Sequence, residues 1–146
     1  MKIVLDTNSL IDASGDDYNF GNRIIDEVIS GKIQAFANRA TLAENRLMAG
    51  RKITDLDYLE KLNQYFDAVH LVETEERLDV VEDPEDNKIL ESALASSSEY
   101  LVTSDNHLLK LSEYEGVKII SPSGFWQAFN EESGTSWRNW IKDFIN

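Results

Sequence analysis

At 146 residues, with 42% apolar and 10% aromatic residues, the chain has the composition of one globular domain rather than of a disordered segment. It contains no cysteine, which excludes disulfides, thiolate zinc sites and thiol nucleophiles and fits a reducing compartment. The net charge of −13 argues against broad attraction to nucleic acid or anionic membranes and leaves two readings of the acids: a soluble surface, or a cluster that needs a cation.

The chain opens on a strand with no basic-then-apolar leader, and no apolar run reaches membrane-spanning length, so a soluble cytoplasmic protein is expected. Ile3-Val4-Leu5 followed by Asp6-Thr7-Asn8 reads as a short buried parallel strand that ends in polar groups. Open α/β folds keep their ligands at that edge of the sheet. A carboxylate there is costly to desolvate without a positive partner, so Asp6 is a candidate wall of a metal site.

Ser9 to Ala13 can start a short helix, interrupted by the Ser14-Gly15-Asp16-Asp17 turn. A helix is predicted from Phe20 to Ile29, stopped by Ser30-Gly31, then a strand over Ile33–Phe36. Asn38 caps a helix from Arg39 to about Met48, with Gly50 beyond its end. Thr54 or Asp55 opens another, running to Phe66 with Leu56, Leu59, Leu62 and Phe66 on one face.

Val69–Val72 is the third predicted strand, and Glu73–Glu82 an acidic loop with a short helical turn. A helix from about Glu85 to Ser96 leads to the strand Tyr100–Thr103, which again ends near an acid, Asp105. A short helix over Asn106–Leu111, a strand over Val117–Ile120 and a last helix capped by Ser121-Pro122 complete the pattern. Alternating strands and helices predict a parallel sheet with helices on both faces. Beyond Gly134, the residues Trp137, Trp140, Ile141 and Phe144 form an apolar stripe that either packs back on the domain or contacts a partner.

Asp6 and Asp105, both at carboxyl ends of strands, can share one edge of the sheet. Glu44 lies about two turns into the helix after the second strand. Asp86 lies in the first turn of the helix before the fourth, where the helix dipole also favours an acid. Four converging carboxylates repel one another unless a hard cation such as Mg2+ or Mn2+ sits among them. One or two such ions can activate water and steady the charge on a phosphodiester.

These residues carry a resemblance. Val4-Leu5-Asp6-Thr7-Asn8-Ser9-Leu10-Ile11, Leu42-Ala43-Glu44, Asp83-Pro84-Glu85-Asp86-Asn87-Lys88-Ile89-Leu90 and Tyr100-Leu101-Val102-Thr103-Ser104-Asp105 stand in the order of the motifs of PIN-domain proteins. The group most similar is that described as toxin components of toxin–antitoxin pairs. The match spans about Lys2 to Phe125.

The resemblance implies a three-layer, Rossmann-like α/β fold with a five-stranded parallel sheet flanked by helices. It implies a PIN domain over residues 1–130, with 131–146 as a C-terminal helical extension. It further implies an Mg2+- or Mn2+-dependent endoribonuclease with an RNA substrate. Asp6, Glu44, Asp86 and Asp105 are then the metal-binding, catalytic acids, with Asn8 and Thr103 in support. Asp83 is a second candidate acid beside Asp86; the spacing to Ile89 and Ala93 favours Asp86.

Asn87 stands where this group often has a further acid. A protein antitoxin and a homodimer are expected partners. Arg39, Arg46, Arg51 and Lys52 are candidates for a phosphate-gripping strip, with Arg39 and Arg46 on one helical face; the competing reading is of solvated or salt-bridged residues. The functional alternative is a catalytically weak or inactive PIN-like interaction module. An aspartyl-phosphate enzyme is weakened by the lack of a second acid two residues after Asp6.

Overall fold

The computed structural model describes residues 1–12 and 19–132. Its strands are β1 (Lys2–Leu5), β2 (Gln34–Ala37), β3 (His70–Leu71), β4 (Tyr100–Val102), β5 (Glu113–Tyr114) and β6 (Val117–Ile120). Between them run α1 (Asn8–Asp12), α2 (Phe20–Ile29), α3 (Arg39–Lys52), α4 (Leu56–Ala68), α5 (Pro84–Ala95) and α6 (Asn106–Leu109). A last helix, α7, covers residues 122–132. The 14–17 turn, Gly134 and the Trp137/Trp140 stripe lie outside the described residues.

The sheet order is β3-β2-β1-β4-β6-β5. Five strands are parallel and correspond to the five predicted ones; β5 is a sixth and runs antiparallel to β6. Glu115 and Gly116 join β5 to β6 with φ of +47° and +89°, the positive pair that a tight hairpin turn requires. A strand of two residues has no alternation to read, so β5 leaves no mark in the sequence pattern.

Strand alternation sorts the core into two halves. Ile3, Leu5, Ala35 and Val102 point to one face, where Ile24, Ile25, Leu62, Phe66 and Phe125 cover them from α2, α4 and α7. Val4, Leu101, Val117 and Ile119 point to the other, against Ile89, Leu90 and Ala93 of α5 and Leu108 of α6. Helices therefore lie on both faces, as expected. No helix among the described residues is long and apolar enough to cross a membrane.

Three features depart from expectation by more than a residue or two at an element's end. α3 runs through Gly50 to Lys52, because Gly50 keeps ordinary helical backbone, Ala49 is fully buried and Arg51 and Lys52 suit the C-terminal dipole. α4 is capped by Asp55, and its first residue, Leu56, is 76% exposed; Tyr58, Leu62, Tyr65 and Phe66 form the buried face. Residues 73–82 contain no helical turn. Leu78, Val80 and Val81 instead pack against the α5 side of the sheet.

The topology fixes where a ligand would sit. From β1 the chain moves outward to β2 and β3, and later returns to place β4 and β6 on the other side of β1. The carboxyl ends of β1 and β4 thus flank the point where the strand order reverses, the usual ligand crevice of an open α/β sheet.

Candidate functional site

The β1–β4 register pairs Leu5 with Val102, and the Asp6 backbone N–H continues the ladder to the Val102 carbonyl at 2.8 Å. Asp6 and Thr103 are therefore the next cross-strand neighbours. The Thr103 hydroxyl donates to Asp6 Oδ2 at 2.9 Å and accepts the backbone N–H of Asp105 at 3.0 Å. Asp6 Oδ1 accepts the backbone N–H of Asn8 at 3.2 Å, where α1 begins. Both Asp6 and Thr103 are buried. Tyr58 steadies α1 from below, its hydroxyl donating to the Leu10 carbonyl at 2.7 Å.

Asp105 caps α6 by accepting the His107 N–H at 2.8 Å, and it is half-buried. Asp86 is 6% exposed, in the first turn of α5. Burial, then the charges of Asp105 and Asp83 and a side-chain hydrogen bond to Asp105, push the Asp86 carboxyl up to about 7. Burial also raises Asp6, against the Thr103 and Asn8 hydrogen bonds, and the charges of Asp105 and Asp83 add to it. Asp6, Asp83, Asp86 and Asp105 thus share one negative field. Among the described residues, no Lys or Arg forms an ion pair with Asp86 or Asp105.

Asp83 is exposed and acts as the α5 N-cap, accepting the Glu85 N–H at 2.9 Å. Its charge reaches the rim while its carboxylate is occupied with the helix. Glu44 is exposed on α3 and lines a cleft with Asp6, Asn8, Thr41, Asn45, Tyr65 and Glu85. The structure therefore brings Asp6, Asp86 and Asp105 together and sets Glu44 on the cleft that opens from Asp6.

Asn87, in place of an acid, turns away from this rim. Its Oδ1 accepts the N–H groups of Val80 and Val81 at 3.0 and 3.1 Å, and its Nδ2 donates to the carbonyls of Val81 and Asp83 at 2.8 and 3.3 Å. An aspartate could not make the last two bonds. Asn87 clamps the 80–83 segment onto α5 and so sets the turn that carries Asp83 and Asp86.

Of the basic residues on α3, Arg46 pairs with Asp67 at 2.9 Å and lies over the Phe66 ring. Arg39, Arg51 and Lys52 are exposed. None of the four lines the cleft. Lys88, absent from the sequence candidates, pairs with the cleft residue Glu85 at 3.0 Å and also feels the charge of Glu44. The i,i+3 spacing of Glu85 and Lys88 was the available signal. Tyr65 was absent from them as well; as one aromatic on a buried helix face it reads as core.

A family model described as the PIN domain matches residues 2–107. The chain belongs to the PIN-domain family. The matched span runs from β1 into α6 and includes Asp6, Glu44, Asp86 and Asp105. No curated protein and no solved structure matches the chain. PIN domains are generally nucleases that use divalent metals and bind RNA.

The donor chemistry of the rim suits such an ion, since every candidate ligand is a carboxylate oxygen, the hard donor preferred by Mg2+ and Mn2+. Among the described residues, no group of three or more His, Cys, Asp or Glu side chains is already spaced to hold one. Without an ion, burial and the charges of Asp105 and Asp83 favour a proton on Asp86.

Proposed function

We propose that this PIN domain is an Mg2+- or Mn2+-dependent endoribonuclease that hydrolyses RNA phosphodiester bonds. The supporting observation is the group of buried and half-buried carboxylates at the sheet's switch point, Asp6, Asp86 and Asp105, in which burial and the charge of Asp105 raise the proton affinity of Asp6 and Asp86. These three would hold the ion. When bound, the ion lowers the pKa of water at the site and offsets charge on the phosphodiester.

The protein's own groups supply the rest. Thr103 fixes one oxygen of Asp6 and, through its second hydrogen bond, the backbone of Asp105. Glu44 supplies a carboxylate on the cleft wall that directs the attacking water and accepts its proton. Leu42, Met48, Phe66, Val69 and Ile89 give the cleft an apolar lining that limits bulk water. The water oxygen bonds to phosphorus as one ester P–O bond breaks, and the departing oxygen is protonated.

The finer reading is of a cytoplasmic toxin from a type II toxin–antitoxin pair, held by a protein antitoxin and working as a homodimer. The ordered motifs support it. It extends to residues 1–130 as the PIN domain and 131–146 as an added helical segment. Exposed Arg39, Arg51 and Lys52 on α3 are the proposed contacts to RNA phosphates outside the cleft. The competing interaction-module reading drew on Asn87 and on the net charge. The Asn87 clamp accounts for the first without loss of catalysis.

The test is cleavage of a ribo-oligonucleotide by wild type and Asp6→Asn, with Mn2+ and with EDTA. Wild type is expected to cut only with the metal, and Asp6→Asn to lose on the order of 100-fold or more, beyond what an outer partner of a metal ligand costs. Equal cleavage by the two proteins would refute the assignment.

A further inference from the structure

Tyr65 is a core residue by burial and a site residue by position. It is 2% exposed on α4, and its ring packs 5.6 Å from that of Phe66. It also lines the cleft with Asp6, Asn8 and Glu44. Two turns earlier on the same helix, Tyr58 places its hydroxyl on the Leu10 carbonyl. The Tyr65 hydroxyl makes no hydrogen bond to another described residue, yet it is not a sealed polar atom left without a hydrogen-bond partner, which among the described residues is Glu27 Oε2 alone, so its oxygen is open to solvent.

A phenol that is buried except at its oxygen takes its hydrogen bond from water. Burial, and secondarily the Asp6 charge, keep this phenol protonated and neutral. The cleft has a volume of about 70 Å³, room for a few water molecules. A polar, uncharged group that faces so small a space beside Asp6 is suited to hold a water.

We propose that Tyr65 is a further catalytic residue of this site, whose hydroxyl holds the attacking water in the cleft it shares with Asp6 and Glu44. The proposal rests on the hydrolytic reading above. The phenol oxygen accepts one hydrogen of the water, and the other is directed at a carboxylate, which takes it as the water oxygen bonds to phosphorus. The ester P–O bond breaks, its electron pair leaves on the departing oxygen, and that oxygen is protonated from solvent. Tyr65 keeps its own proton throughout.

The experiment compares full-length wild type, Tyr65→Phe and Asp6→Asn, with Mn2+ as the metal and a ribo-oligonucleotide as substrate. Tyr65→Phe keeps the packed ring and removes only the hydroxyl. Its kcat is expected to fall about ten-fold, the worth of one neutral hydrogen bond. KM, the Mn2+ Kd and Tm should hold. A merely structural tyrosine would lower Tm without lowering kcat at fixed KM.

Wild-type kcat in Tyr65→Phe, with Asp6→Asn inactive, overturns the proposal and leaves the nuclease reading standing. A raised KM at constant kcat overturns the water assignment in favour of a contact to the strand. Wild type that fails to cut, or Asp6→Asn that cuts as well, overturns the nuclease reading and the Tyr65 role with it.

Discussion

The Thr103 hydroxyl donates to Asp6 Oδ2 at 2.9 Å while it accepts the Asp105 backbone N–H at 3.0 Å. Because the Asp105 N–H already points at the oxygen, the hydroxyl proton is committed to Asp6. One side chain thus sets the spacing of the acids at the ends of β1 and β4. Thr103→Val keeps the shape and removes both bonds. It is expected to lower stability by about 1–3 kcal/mol, since a buried carboxylate loses a donor. Mn2+ affinity should fall about 10–100-fold, as for other outer partners of metal ligands. Thr103→Ser should recover most of both losses, measured by calorimetric Mn2+ titration and urea unfolding.

Asp86 gives the metal-free protein a pH dependence of definite sign. Its carboxyl is raised from 3.8 to about 7 in the folded state, so between those values the native protein holds a proton that the unfolded chain has released. Stability from this group is therefore fully present below pH 3.8 and is lost as pH rises through 7. In EDTA, the urea midpoint should fall from pH 5 to pH 8. Asp86→Asn should flatten that fall and be the more stable protein at pH 8. Mn2+ at pH 8 should restore wild type and not Asp86→Asn. An Asp86→Asn midpoint that tracks wild type at both pH values would remove Asp86 from the shared field.

Asn87 predicts a structural rather than a catalytic phenotype. Asn87→Asp keeps the acceptor for Val80 and Val81 but loses the two donor bonds to Val81 and Asp83. It also adds a charge beside the α5 turn. The expected cost is about 1–3 kcal/mol by urea unfolding at pH 7. Hydrogen exchange should accelerate in residues 78–83, while α2 and α4 stay protected. A gain in Mn2+ affinity with unchanged stability would make position 87 a ligand position after all.

The basic residues of α3 should divide by their partners. Arg46 is held by Asp67 and Phe66, whereas Arg39 and Arg51 are exposed. Removing one cation from a phosphate lowers the slope of log affinity against log salt by roughly 0.7–0.9. Arg39→Ala and Arg51→Ala should each lower the slope by about that amount, and Arg46→Ala by less, in RNA binding measured across a salt series. Equal slopes for all four proteins would take α3 out of the RNA interface.

The sequence was most legible where period and chemistry coincided. β1 and β4 each combine an apolar run with an acid just beyond it, so the edge carrying Asp6 and Asp105 could be read from pattern alone. Asn38 and Asp55 announced their helices by capping chemistry. What could not be read depended on distant contacts. Gly50 passes for a helix stop until Ala49 is seen to be buried. Leu56 passes for core until α4 is rotated by the packing of Tyr58 and Tyr65. Asn87 looks like a missing acid until Val80, Val81 and Asp83 close around its amide. Asp86 and Asp83 are three residues apart on one helix start, and only the tertiary fold makes one a buried partner of Asp105 and the other a cap.

Anomalous diffraction from Mn2+-soaked crystals of the wild-type protein bears most directly on the carboxylate rim. The expected result is a manganese peak about 2.0–2.2 Å from carboxylate oxygens of Asp6, Asp86 and Asp105. Manganese ordered elsewhere at saturating metal, with none on these three carboxylates, would contradict it.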